Sequence, residues 1–174
     1  WSIIFFTSSS GLGLGLAAWI VLGLVPLESA THLLAIAGFT FGLIGAGLFS
    51  STLHLGHPER AWRALSQWRS SWLSREGVLA VVVMAALFIW FVYVHGGAVP
   101  PLWASAGVLS LIIATVYATS MIYASLKTVA RWYHPLTPIC YLMFAAAGGL
   151  LAACWLCCFC RDAETRLPPQ KKSV

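Results

Sequence analysis

The sequence predicts an all-α integral membrane protein, a bundle of about five transmembrane helices with an interfacial amphipathic helix between the second and the third. Three observations carry this. Of 174 residues, 60% are hydrophobic and 9% charged, and mean hydropathy is +0.86, whereas an ordinary soluble domain is roughly a quarter charged. Five apolar runs reach the roughly 20 residues that a bilayer core demands of a helix. Charge and aromatic residues gather in one connection, Ser51 to Gly77, which holds two of the five His, four of the ten Lys and Arg, and three of the nine Trp.

The first run is roughly Ile3 to Val25 and the second roughly Thr31 to Leu53. The third is roughly Leu73 to Tyr93, the fourth Leu102 to Leu126 and the fifth Thr137 to Phe159. Backbone groups in lipid must pair internally, so the runs are helices; barrel strands would show short alternating segments, which are absent. Gly11 and Gly15, and likewise Gly38, Gly42 and Ala46, are four apart. That spacing puts a flat stripe on a helix face, where another helix can come close. GLGLGL at 11–16 has no strand before it and no acidic partner after it, so it is not read as a nucleotide loop. The spans form one anchor domain over 1–160, and 161–174 reads as a polar, basic tail expected to be disordered.

With five spans, the loop around 54–72 and the loop around 127–136 share a side with the N-terminus. Arg60, Arg63, Arg69, Arg75, Lys127 and Arg131 all fall there. By the positive-inside rule that side is cytoplasmic. The tail cations Arg161, Arg166, Lys171 and Lys172 fall on the opposite side and argue against it. The net charge of +5 comes from loops and tail, and no nucleic-acid motif accompanies it. The five Cys, at 140, 154, 157, 158 and 160, lie in or beside an apolar run, where Cys acts as a small hydrophobe.

Within the long connection, His57-Pro58 suits a helix start. Ala61, Leu65, Trp68 and Trp72 then share one face, with Arg60 and Arg63 elsewhere. Such a helix lies in the interface, its Trp at headgroup level. Ser71 or Ser74 can cap the third span, with Glu76 in its first turn. An Arg-rich loop is commonly a topology signal, and a Glu near a helix start can simply favour the helix dipole. Convergence favours a functional reading: His54 ends one helix, Glu76 begins the next, and both flank the same loop. An ionisable residue at the hydrocarbon boundary marks a functional site by default. A proton-competent carboxyl there, with an apolar slot beside it, suits quinone chemistry. Tyr123 falls near the same membrane face and is a weaker candidate. His32, His95 and His134 lie near helix ends rather than paired inside facing helices, so no haem is expected in this chain. No metal-ligand spacing and no nucleophile–base pair stands out, so no catalytic or metal residue is assigned.

The run SSTLHLGHPERAWRALSQWRSSWLSREGVLA at 50–80 resembles the membrane anchor subunit of the dimethyl sulfoxide reductase family. ATVYATSMIYASLKTVARWYHPLTPICYL at 114–142 and the opening SIIFFTSSSGLGLGL are similar to the same family. Within it, the HPERAWRALSQWRSSWLSRE wording most resembles anchors of sulfite-oxidising complexes. The resemblance implies an anchor in the bacterial inner membrane that binds menaquinone or ubiquinone from the quinone pool. It also implies two partners, an iron–sulfur electron-transfer subunit and a molybdopterin catalytic subunit. A His in the H-L-G motif and a Glu in the S-x-E motif, tied to quinol binding in the family, match His54 and Glu76; Tyr123 joins them as a weaker pocket candidate by position. Arg60 and Arg63 match basic positions in the loop facing the iron–sulfur subunit, in docking or in holding a quinone oxygen; Arg60 is taken as quinone-binding, and Arg63 with Arg69 as docking. The family has about eight helices where this chain supplies five, so a shortened C-terminal part is expected. Rival readings are a purely structural anchor and a small transporter fragment. A transporter would carry polar residues at mid-membrane rather than at one edge.

Overall fold

The computed structural model describes residues 2–27, 29–52, 67–69 and 71–166. It contains five helices: α1 (Ser2–Val21), α2 (Ala30–Thr52), α3 (Trp72–His95), α4 (Leu102–Ala124) and α5 (Leu136–Arg166). Each is long and apolar enough to cross a membrane, and no strand occurs among the described residues. The interfacial helix expected over 58–68 falls mostly outside the described residues. So do 167–174 of the expected tail; α5 itself runs on to Arg166.

The helix ends are set by local chemistry. α1 stops four residues short of the apolar run because Gly23 takes φ 73°. Leu24 N–H donates to the Trp19 carbonyl at 3.1 Å and Gly23 N–H to the Ile20 carbonyl at 2.9 Å. This Schellman ending satisfies carbonyls that would otherwise be orphaned in lipid. α3 ends the same way at Gly97, φ 78°, with Ala98 N–H on Tyr93 O and Gly97 N–H on Val94 O. Ser29 caps α2, its Oγ accepting from His32 N–H at 3.2 Å. Ser71 takes the N-cap position of α3, but without the expected side-chain hydrogen bond.

α1 is the hub. It packs against α2, α4 and α5, and 50% of its spanning window is buried, against 22% for α5. Small residues permit this, though not all those expected. A Cβ built on Gly15 would run into the Ala145 carbonyl of α5, and one on Gly149 into the Gly15 backbone. Trp19 Nε1 donates to Ala146 O across the same contact at 2.8 Å. Toward α2, Gly13 faces Ile44 and Gly47 faces Ser10, while Ser9 Oγ donates to Leu43 O at 2.9 Å. The stripe expected at Gly38 and Gly42 is not a contact: an added Cβ meets nothing within 4 Å at either. The four-residue spacing located a smooth face correctly but could not say whether a helix would lie on it.

Candidate functional site

The site grows from the start of α3. Glu76 is the fifth residue of that helix, past the first turn where the sequence placed it. The extra depth carries its carboxyl into the bundle, where the residue is only 5% exposed. Thr119 of α4, 6% exposed, donates its Oγ1 hydrogen to Glu76 Oε1 at 2.8 Å and lies 3.1 Å from the Thr115 carbonyl one turn back. This α3–α4 hydrogen bond crosses 43 residues of sequence. A buried carboxyl without a partner would be costly, so the Thr119 hydroxyl answers a need created by the burial.

Glu76 also borders a void of about 10 Å³, scarcely room for one water molecule. A larger cleft of about 430 Å³ lies beside it, between α1, α4 and α5. Ser10, Leu14 and Thr119 line both spaces. They form the wall between the carboxyl and the cleft.

Tyr123 lies at the end of α4, its ring stacked on Tyr141 of α5 with centroids 5.5 Å apart and 21° between planes. Trp132 of the following loop meets Tyr123 edge-on at 5.4 Å. Tyr123 does not line the cleft, but Tyr141 does. Nothing in the sequence marks Thr119 or Tyr141 as site residues. Both stand in the stretches quoted for the family resemblance, yet a Thr or Tyr on an apolar helix gives no sign of its facing partner.

Arg75 ties the loop end to the helix. Its Nε donates to Trp68 O at 2.9 Å and its Nη2 to Arg69 O at 2.8 Å, with the guanidinium 4.4 Å from the Trp72 ring centre. Arg69 is exposed. Ser74, 1% exposed, holds a buried hydroxyl with no partner among the described residues. His54, Arg60 and Arg63 lie outside the described residues.

Five spanning helices, with a carboxyl buried inside one end of the bundle, define a multi-pass helical membrane protein. The chain belongs to the DMSO reductase anchor subunit (DmsC) family, which it matches over residues 1–169. A sulfite dehydrogenase subunit of Allochromatium vinosum is 37% identical over 174 positions, covering 87% of this chain and 53% of that protein. An anaerobic dimethyl sulfoxide reductase polypeptide of Escherichia coli is 27% identical over 158 positions, 87% of this chain and 55% of that protein. Its namesake in Haemophilus influenzae is 26% identical over 156 positions, 85% of this chain and 55% of that protein. The chain thus spans about half the length of these relatives. No solved structure matches.

Proposed function

We propose that the chain is the quinone-binding membrane anchor of a molybdopterin oxidoreductase complex of the dimethyl sulfoxide reductase type. In this reading it passes electrons between the quinone pool and an iron–sulfur subunit. The observation that carries it is the buried Glu76 carboxyl, held by Thr119 at the end of the bundle next to the arginine-bearing loop. A proton-carrying group inside an apolar wall is the chemistry a quinone needs, and family membership supplies the context. The residues present fit such a ligand: a carboxyl, hydroxyls and an apolar surround lie close together.

A quinone, when bound, brings the two-electron, two-proton chemistry. Glu76 holds or releases a proton at its carboxyl oxygens. Thr119 keeps that carboxyl in one orientation. His54 and Arg60 would supply hydrogen bonds to the ring oxygens, with Tyr123 as a further quinone-binding residue. Arg63 and Arg69 would dock the iron–sulfur subunit, which in turn meets a molybdopterin subunit. The bilayer is the bacterial inner membrane, with the N-terminus and the loop 54–72 cytoplasmic.

The test is to tag the chain in its native membrane and ask whether molybdenum- and iron-containing subunits co-purify. Quinone-linked turnover of the purified complex is then measured with His54→Ala and with Glu76→Gln. Co-purification with loss of turnover in both variants is expected. A chain that purifies alone points to a purely structural anchor, and unchanged turnover removes the two residues from the chemistry.

A further inference from the structure

The cleft between α1, α4 and α5 lies in the same end of the bundle as Glu76, yet among the described residues its lining comes from helices alone. We propose that this cleft admits the head group of a quinone-class ligand from the lipid, and that Thr119 positions the Glu76 carboxyl toward it. The inference rests on the quinone reading above and adds the seat of the ring and its route of entry.

Four observations support it. First, its volume of about 430 Å³ falls within the roughly 300–1,000 Å³ of small-molecule sites. Second, it reaches the lipid-facing surface, because its lining includes Phe144, which is 78% exposed. Third, its mostly apolar lining includes the hydroxyl-bearing residues Thr7, Ser8, Ser10, Thr119 and Tyr141. Ser10 Oγ donates to Phe6 O at 2.7 Å and Thr119 Oγ1 donates to Glu76, so both oxygens retain lone pairs to accept from a quinol O–H. The Tyr141 phenol can donate to a quinone carbonyl. Fourth, glycines widen it. Gly11 and Gly148 line it, and a Cβ on Gly11 would meet nothing within 4 Å.

The wall is thin where it matters. Of the three residues shared with the Glu76 void, Thr119 is the one whose side chain bonds the carboxyl. A ligand in the cleft therefore meets Glu76 through Thr119.

The experiment uses native membranes carrying the assembled complex and a decyl-tailed arylazido-benzoquinone. Photolabel is expected on peptides holding Thr7–Leu14 and Tyr141–Gly148. Gly11→Leu, at a position where an added Cβ meets nothing within 4 Å, should fill the cleft, leave the subunits assembled, and raise the KM for decyl-quinol by about tenfold or more. Thr119→Val should lower kcat, and Thr119→Ser should restore it. Labelling confined to α3 or to the loop 54–72, or a normal KM in Gly11→Leu, overturns the cleft while leaving the anchor a quinone protein. A Thr119→Val complex with unchanged kcat overturns the positioning role. A complex that neither takes label nor oxidises quinol overturns the quinone reading itself, and this inference with it.

Discussion

Replacing Thr119 by Val removes one hydroxyl and almost no volume. In the native bundle it leaves Glu76, 5% exposed, without its α4 partner. Stranding a buried polar group costs about 1–3 kcal/mol. Interhelical hydrogen bonds in a membrane average about 0.6 kcal/mol, with a maximum near 1.7, because the unfolded chain also finds partners. The void beside Glu76 scarcely admits a single water, so the carboxyl has little to turn to. The upper part of the membrane range therefore applies, and Thr119→Val should destabilise by about 1–2 kcal/mol. The check is equilibrium unfolding of the detergent-solubilised chain by added SDS, read by helical signal, in a double-mutant cycle. In a Glu76→Leu background the same Thr119→Val change should cost less than about 0.5 kcal/mol, since no buried acceptor is left stranded. In a Glu76→Gln background the amide oxygen still accepts, and most of the cost should return. An equal cost with Glu76 and with Leu at that position would refute the reasoning, because the hydroxyl would then act only on its own helix.

Three further outcomes are expected. Gly15→Val should separate α1 from α5 and destabilise the bundle by about 1–3 kcal/mol, whereas Gly11→Val should be close to neutral; SDS titration compares them. Reversing the charges of Arg63 and Arg69 should release the iron–sulfur subunit into the soluble fraction, and retention on membranes would argue against docking. Cysteine introduced at Arg69 should react with an impermeant maleimide in inverted vesicles, and one at Gly97 in right-side-out cells; the reverse pattern would invert the orientation.

The five spans were legible because a bilayer imposes a length and an apolar composition that any window can read. Their ends were legible only where a residue type forces the backbone. Pro101 sits just before α4, which begins where the apolar run does. The first run was read through to Val25, because a Gly ending at Gly23 inside an apolar stretch resembles any other membrane glycine. Glu76 stood out as a rare carboxyl beside a hydrocarbon run. Its partner did not, because pairing it with Thr119 requires knowing which faces of α3 and α4 meet. Spacing of small residues has the same limit: Gly15 turned out to be a contact and Gly38 did not. Local pattern names what a face can do, and tertiary packing decides whether it does so.

The hub position of α1 bears on how the chain is made. Trp19 and the Ala146 carbonyl that it bonds are 127 residues apart. At ribosomal speeds of about 5–20 residues per second, α1 waits roughly 6–25 seconds in the membrane before α5 exists to cover Gly15. Throughout that interval Gly15 and an unsatisfied indole N–H of α1 stay without their α5 partners. Closure of α1 against α5 thus comes late, and any insertion factor that shields a polar helix would find α1 the longest-lived client among these five spans.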